Sequence, residues 1–157
     1  MLTLAVLVLT LWPVPPSPIP LSFPGEHAPI VVEQEARDLE SALNADRARQ
    51  HLRPLRTDER LRAMALEWAL HMANQHFFGH VDPQGRGLLD RVHDAKYKYH
   101  FVAENIALDR DASTADTGLM NSPEHAANIL SKDARRVGVA AVNIAPEETI
   151  YVEDFSD

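Results

Sequence analysis

Two of the eight histidines in this chain stand beside sequence features that would place them in a working site. His80 lies in a loop rich in turn-forming residues, directly after a strongly periodic helix, and His125 lies in the first turn of a short helix. Glu104 is flanked by small and apolar residues in the stretch Ala-Glu-Asn-Ile-Ala, where a carboxylate is rarely present for solvation alone. Imidazole and carboxylate groups transfer protons near neutral pH and bind divalent metals. From the residues alone, the three side chains either share one site or are unrelated surface groups.

A metal-binding pair at helical spacing, formed by His76 and His80, is not expected. Phe78 and Gly79 stand between the two histidines and end the helix there, so the rings would not lie on one helix face.

Composition narrows the chemistry further. The chain has no cysteine, which excludes disulfides, cysteine zinc sites and thiol catalysis, so a metal would need His, Asp, Glu or backbone oxygen. Its formal charge is −8, and its basic residues form no stripe. An acidic domain repels phosphate backbones, so nucleic acid is not expected as a partner.

The elements that position these residues follow from hydrophobic periodicity and turn signals. Helices are expected over 31–52, 58–76, 87–94 and 123–131, and strands over 97–102, 136–145 and 148–155. Asp58 begins the most periodic helix, and Ser122 is expected to cap the last one, with Pro123 in its first turn. The last two strands predict an antiparallel hairpin. The fold class is therefore α+β, with helices packed on a small sheet.

The first 30 residues differ from the rest. Residues 1–12 are a dense apolar run that is shorter than the roughly 20 residues of a membrane-spanning helix, and prolines dominate the stretch that follows. This pattern is typical of a secretory signal or anchor followed by an extended spacer, although no Lys or Arg precedes the run. The alternative is a hydrophobic arm packed on the domain. We thus expect an N-terminal segment over 1–30 and a domain over 31–157.

Seven short segments in order give the chain a resemblance to a known family. They are 43–49, 52–55, 77–85, 104–107, 121–130, 136–139 and 151–155. Together they resemble the CAP superfamily of cysteine-rich secretory, antigen 5 and pathogenesis-related proteins, in its cysteine-free bacterial, SCP-like branch. The resemblance covers roughly residues 35–157 and implies a three-layer α-β-α sandwich with a small antiparallel sheet between helices.

The resemblance also implies a central cleft. Its lining positions in the family correspond here to His80, Glu104 and His125. Many members have a second cleft glutamate three positions after a tryptophan; Leu119 stands at the tryptophan position, so Ser122 stands at the glutamate position. Asn105 and Asn128 are expected to hold loop backbone by side-chain hydrogen bonds.

Two neutral imidazoles and one carboxylate form a reasonable first shell for Zn²⁺ with an open position. We therefore expect weak, pH-dependent binding of Zn²⁺ or another divalent metal by His80, His125 and Glu104. Without the second glutamate a candidate general base is missing, which leaves Glu104 as the candidate catalytic residue.

The leading functional hypothesis is a secreted binding module, extracellular or in the cell envelope. It would hold a small-molecule or lipid ligand, a divalent metal or an envelope component, with peripheral membrane attachment only if the N-terminus is retained. One alternative is a metal-assisted hydrolase or peptidase, although no serine or cysteine nucleophile motif is visible. The other is a structural or stress-related envelope protein.

Overall fold

A computed structural model describes residues 17–22 and 28–157 of the chain. In chain order, the elements in this part are β1 (Ile19–Pro20), β2 (Ile30–Val31), α1 (Glu33–Arg49), β3 (Arg56–Thr57), α2 (Glu59–Asn74), β4 (Phe77–Phe78), α3 (Leu88–Asp94), β5 (Val102–Asp109), α4 (Ala112–Asn121), α5 (Pro123–Ile129), β6 (Arg136–Ala145) and β7 (Glu148–Ser156).

The central sheet is built on the predicted terminal hairpin of β6 and β7. The strand order is β2-β6-β7-β5, all antiparallel, and β3 adds a short parallel pairing to β6. Because side chains alternate between the faces of a strand, β6 and β7 bury apolar residues on both sides, and helices cover both faces.

The two faces of the sheet form two apolar clusters. On one face, Val137, Val139 and Tyr151 pack with residues of α1, α4 and α5. On the other face, Val142 and Val152 pack with α2. Helices therefore lie on both sides of the sheet, which confirms the three-layer α-β-α arrangement.

Gly138 on β6 is required by the approach of α2. A Cβ atom at this position would lie 2.0 Å from the backbone nitrogen of Arg62, closer than any packed atoms can come. The missing side chain allows α2 to lie directly on the sheet. The loop that carries His80 begins at the end of this helix.

The strand predicted over 97–102 is wrong. Only Val102 belongs to β5, and the chain before it has irregular backbone. The backbone N–H groups of His100 and Phe101 donate to the Asp157 carboxylate, 2.8 and 3.0 Å away, and Tyr97 is buried beside α2 and α3. Strand pairing falls instead on 102–109, whose small and polar residues give a weak strand signal. All eight residues pair with β7.

Helix α4 has no counterpart among the predicted elements. The helix adds few apolar side chains to the core: Ala112, Ala115 and Leu119 are buried. The helix begins at a local signal, because the Asp111 side chain accepts a hydrogen bond from the backbone of Thr114 at 2.8 Å. Ser122 occupies the cap position of α5 as predicted, but its side chain makes no capping hydrogen bond.

The N-terminal segment lies partly within the described residues. Residues 1–16 and 23–27, and with them the expected signal or arm over 1–12, lie outside. Part of the expected spacer packs on the domain: Ile19 and Pro20 pair with Phe78 and Phe77 in an antiparallel register. Within 17–22 and 28–157, none of the helices combines the length and the apolar character needed to span a bilayer.

Candidate functional site

The loop that carries His80 is fixed from within by Asp82. This buried carboxylate accepts hydrogen bonds from the backbone N–H groups of Gln84 (2.9 Å) and Arg86 (2.8 Å). The Asp82 backbone donates in turn to Arg86, and Gly85 supplies the positive φ of 85° that the turn needs. His80 therefore stands in a tightly held turn.

Helix α2 anchors the start of this loop. The helix ends at Asn74, five residues before Gly79, so His76 and His80 do not share a helix face, as expected. The Trp68 indole N–H donates to the backbone oxygen of Gly79 at 3.2 Å, next to His80. The loop is thus tied directly to a core side chain.

Glu104 and His80 form the closest pair of the predicted site. Glu104 lies on β5 with its side chain only 2% exposed, and its Oε1 lies 2.8 Å from His80 Nδ1. A buried carboxylate at this distance favours the tautomer with the proton on Nδ1. No hydrogen bond within the described residues reaches His80 Nε2, and the His80 side chain is 34% exposed. The free ring nitrogen is therefore available to a ligand.

Arg91 of α3 neutralises the second oxygen of Glu104. Its Nη2 lies 2.5 Å from Glu104 Oε2, and its guanidinium stacks 4.1 Å from the centre of the Trp68 ring. Nη1 lies 3.8 Å from the fully buried Asp154. Arg91 therefore lies within ion-pair distance of two carboxyl groups.

Asp154 lies directly across from Glu104 in the register of β5 and β7. Burial raises the pKa of Asp154 well above its usual range, and the negative charge of Glu104 raises it further, against the opposing effect of Arg91. Both effects shift Asp154 towards its neutral, protonated form. Glu104 is the hydrogen-bond partner of both Arg91 and His80.

His125 faces His80 from α5. The two ring centroids are 6.4 Å apart, and the ring planes are inclined by 30°. Burial lowers the pKa of His125, and the charge of His80 lowers it further, whereas Glu124 acts in the opposite sense. His125 is therefore a neutral imidazole at neutral pH, able to donate or accept a hydrogen bond.

Two asparagines hold α5 beside β5. Asn105 donates through Nδ2 to the backbone oxygen of His125 at 3.2 Å, and Asn128 donates to Asn105 Oδ1 at 2.9 Å. Both asparagines make side-chain hydrogen bonds to backbone as expected, but the backbone belongs to α5 and β5 and not to a loop. From the far end of the helix, the buried Arg47 donates to the backbone oxygens of Ile129 and Ser131, at 2.7 and 2.8 Å.

The structure thus brings together His80, Glu104 and His125. Ser122 lies between α4 and α5, and no hydrogen bond among the described residues joins it to these three side chains. Sequence reasoning missed Arg91 and Asp154. The apolar face of α3 does not reveal that Arg91 turns inward, and only strand register places Asp154 opposite Glu104.

The fit of a metal depends on which donor atoms are free. Both oxygens of Glu104 are engaged, one by His80 and one by Arg91. Across residues 17–22 and 28–157, no three His, Asp or Glu side chains are arranged to hold a metal ion. Three ligands therefore do not converge in this arrangement. His80 and His125 supply the two free imidazoles, and metal binding at this place stays a prediction.

Comparison with known proteins places this geometry in a family context. A family model described as the cysteine-rich secretory protein family (CAP) matches residues 40–155. The uncharacterized protein YkwD of Bacillus subtilis (strain 168) is 29% identical over 129 residues, which cover 82% of this chain and 49% of YkwD. The chain thus spans about half the length of this curated relative.

Solved structures share the fold. An extracellular protein of Bacillus anthracis str. Ames that contains an SCP domain is 25% identical, with a TM-score of 0.70 over 79% of this chain and 40% of its own. An outer surface protein of Borrelia burgdorferi is 21% identical, with a TM-score of 0.74 over 83% of this chain and 97% of its own. A cysteine-rich secretory protein of Staphylococcus aureus subsp. aureus Mu50 is 20% identical, with a TM-score of 0.66 over 85% and 40%.

Proposed function

This chain belongs to the cysteine-rich secretory protein family, in its cysteine-free bacterial form, and from that premise we propose that it is an exported binding module. Its cleft would hold a small ligand, a divalent metal or a component of the cell envelope between His80 and His125. Two solved structures of this fold are described as an extracellular protein and an outer surface protein, which supports a place outside the cell or in the envelope.

The contact between Glu104 and His80 carries this proposal. The buried carboxylate fixes the His80 ring through Nδ1 and leaves Nε2 free, at the same place where His125 presents a neutral ring. Two oriented imidazoles suit a ligand that offers hydrogen-bonding groups or a metal ion. Glu104 orients His80 in this proposal, and it would bind a metal itself only by releasing His80 or Arg91.

Zn²⁺ is the sharpest probe of the cleft, since imidazole is one of its preferred ligands. We expect calorimetry to detect binding by the wild type and to show a loss of at least about tenfold in the variant that combines His80→Ala and His125→Ala. A matched control combines His93→Ala and His100→Ala, because these two rings are 88% and 97% exposed. Equal binding by the cleft and control variants, or no binding by any, contradicts the metal proposal.

Envelope binding needs a separate probe. The wild type is expected to sediment with purified bacterial cell walls or with lipid vesicles, and the same cleft variant is expected to lose this association. Sedimentation that is unchanged by the cleft variant would move the interaction away from His80 and His125. A structural envelope role would then be favoured over ligand binding in the cleft.

A hydrolase is the second candidate, favoured by one observation. The carboxylate of Glu104 orients His80 in the way that a general base is oriented in many enzymes. Against it, within 17–22 and 28–157 no hydroxyl group donates to His80 or His125, so a nucleophile is not in place. Hydrolysis of a peptide or ester panel that is lost in Glu104→Gln would bring this function forward.

A further inference from the structure

Part of the N-terminal segment lies along the chain that leads into the candidate site. Strands β1 and β4 pair antiparallel, and just after β1 the backbone N–H of Leu21 donates to the backbone oxygen of His76, 2.9 Å away. Just before β1, Pro18 lies against Gly79. Residues 18–21, which we call the strap, therefore run beside this chain, and their contact ends one residue before the candidate site begins.

The sequence of the strap lets it pair on one side only. Along an antiparallel strand, alternate residues direct their backbone N–H groups to the same side. Leu21 donates towards β4, and Ile19, two positions earlier, has the same orientation. The positions that face away from β4 are Pro18 and Pro20, and proline has no N–H group. The strap can therefore close the edge of β4, and its own outer edge offers little to a further strand.

Gly79 allows the strap to approach the start of the His80 loop closely. A Cβ atom on Gly79 would lie 3.1 Å from the Cα atom of Pro18, and the φ of Gly79 is not positive. Space for the strap, and not backbone conformation, is therefore the reason for glycine at this position. On its other side, Gly79 accepts the hydrogen bond from the Trp68 indole. The residue before His80 is thus held between the strap and the core.

Leu21 anchors the strap. Its half-buried side chain packs against the apolar cluster between α2 and the sheet. Ile19, in contrast, is 63% exposed, and Pro20 is exposed as well. A stretch with one anchoring side chain and few backbone hydrogen bonds belongs to the parts of a fold that open at low cost in free energy, before the domain unfolds. The strap can thus be docked or released while the rest of the domain stays folded.

We propose that docking of the strap holds the His80 loop in place, so that the cleft is ordered while the N-terminal segment is docked and loosens when it is released. The contact between His80 Nδ1 and Glu104 Oε1, at 2.8 Å, requires this loop to keep its position. Ligand binding in the cleft thus depends on the N-terminal segment, a dependence that rests on the proposed function, whereas the order of the loop does not.

Hydrogen exchange of the full chain, followed by mass spectrometry, measures how firmly the loop is held. Leu21→Pro removes the N–H that donates to His76 together with the anchoring side chain, and exchange of the amides of residues 79–82 is expected to rise about tenfold. Ser22→Pro is the matched control, since Ser22 is exposed and continues the side of the strap that faces away from β4. Its exchange should equal that of the wild type. No change in Leu21→Pro, or an equal rise in both variants, overturns the proposal.

Two further measurements connect the strap to the cleft. In Leu21→Pro, nitrogen-15 NMR should show less of the His80 tautomer protonated on Nδ1, and calorimetry should give a Kd for Zn²⁺ about tenfold higher than in Ser22→Pro. Faster exchange with no change of tautomer or of Kd overturns the coupling to the cleft. If the wild type binds no Zn²⁺, the metal proposal fails, and hydrogen exchange and the His80 tautomer still decide whether the strap holds the loop.

Discussion

The two faces of the central sheet hold buried carboxyl groups in opposite electrostatic settings. On the face toward α2 and α3, Glu104 and Asp154 lie beside Arg91, and His80 completes the partners of Glu104. On the face toward α1 and α4, the charges of Asp46 and Asp116 act on the buried Glu153, and the exposed Arg49 pairs with Asp46.

The difference shows that adjacent residues of one strand can contribute to the candidate site on one face of the sheet and to an unneutralised carboxyl group on the other. Residues 153 and 154 of β7 point to opposite faces, so two adjacent acids enter two separate environments. On the face that holds Arg91, the carboxylate of Glu104 pairs with this arginine and orients His80. On the other face, where the described residues give Glu153 no such cation, its carboxyl group must keep a proton or acquire a counter-ion.

Removal of Arg91 should have the largest effect on the difference between the two faces. Arg91→Met leaves the buried Glu104 without its arginine partner, and we expect the free energy of unfolding to fall by about 4 kcal/mol. Urea denaturation measures this loss. Arg86→Met is the matched control, since its ion pair with Asp94 is exposed and should contribute little. Equal stabilities of the two variants would show that Arg91 does not neutralise Glu104.

The unneutralised face should make stability depend on pH. The unfolded chain releases the Glu153 proton near 4.5, whereas the folded protein keeps it to about 8. The contribution of this proton to the free energy of unfolding is thus fully present below pH 4.5 and is lost as the pH rises towards 8, by about 4 kcal/mol between pH 5 and pH 8.

Glu153→Gln keeps the size of the side chain and removes this titration, so its unfolding free energy should change less between pH 5 and pH 8. Denaturation at a series of pH values measures the slope. The exposed Glu67→Gln should retain the wild-type slope. An unchanged slope in Glu153→Gln would mean that Glu153 is already ionised in the folded protein.

A change at Glu104 tests whether the neutralised face really orients a histidine. In Glu104→Gln we expect a loss of about 2 kcal/mol, because charge-assisted hydrogen bonds to His80 and Arg91 are removed. Nitrogen-15 NMR of His80 should also show less of the tautomer protonated on Nδ1. A stability loss without any change of tautomer would make Glu104 structural only.

The smallest effect is expected where two like charges meet near the surface. At pH 7.5, Asp116→Asn should stabilise the protein by about 1 kcal/mol, since it relieves repulsion with Asp46. Thermal denaturation measures this gain. Asp38→Asn should leave stability near that of the wild type, and an equal gain there would reduce the effect to general surface charge.

Much of the fold could be predicted because it depends on local patterns. The periodic apolar residues of α2 and the alternation in β6 and β7 are properties of neighbouring residues, and both elements formed as predicted. Prediction failed where contacts between residues distant in sequence determined the local structure. The aromatic residues before Val102 resemble a strand, but Tyr97 enters a helix contact and Asp157 holds the backbone. Helix α4 was missed because few of its side chains are apolar.

The candidate site divides in the same way. The sequence by itself determined the residue types that can act, His80, Glu104 and His125, together with their order along the chain and the family that they resemble. The tertiary structure alone decided that both oxygens of Glu104 are engaged by His80 and Arg91, that Asp154 lies opposite Glu104, and that the charges of Asp46 and Asp116 act on Glu153. Burial and charge pairing depend on side chains that are distant in sequence, and only the folded chain brings them within range of one another.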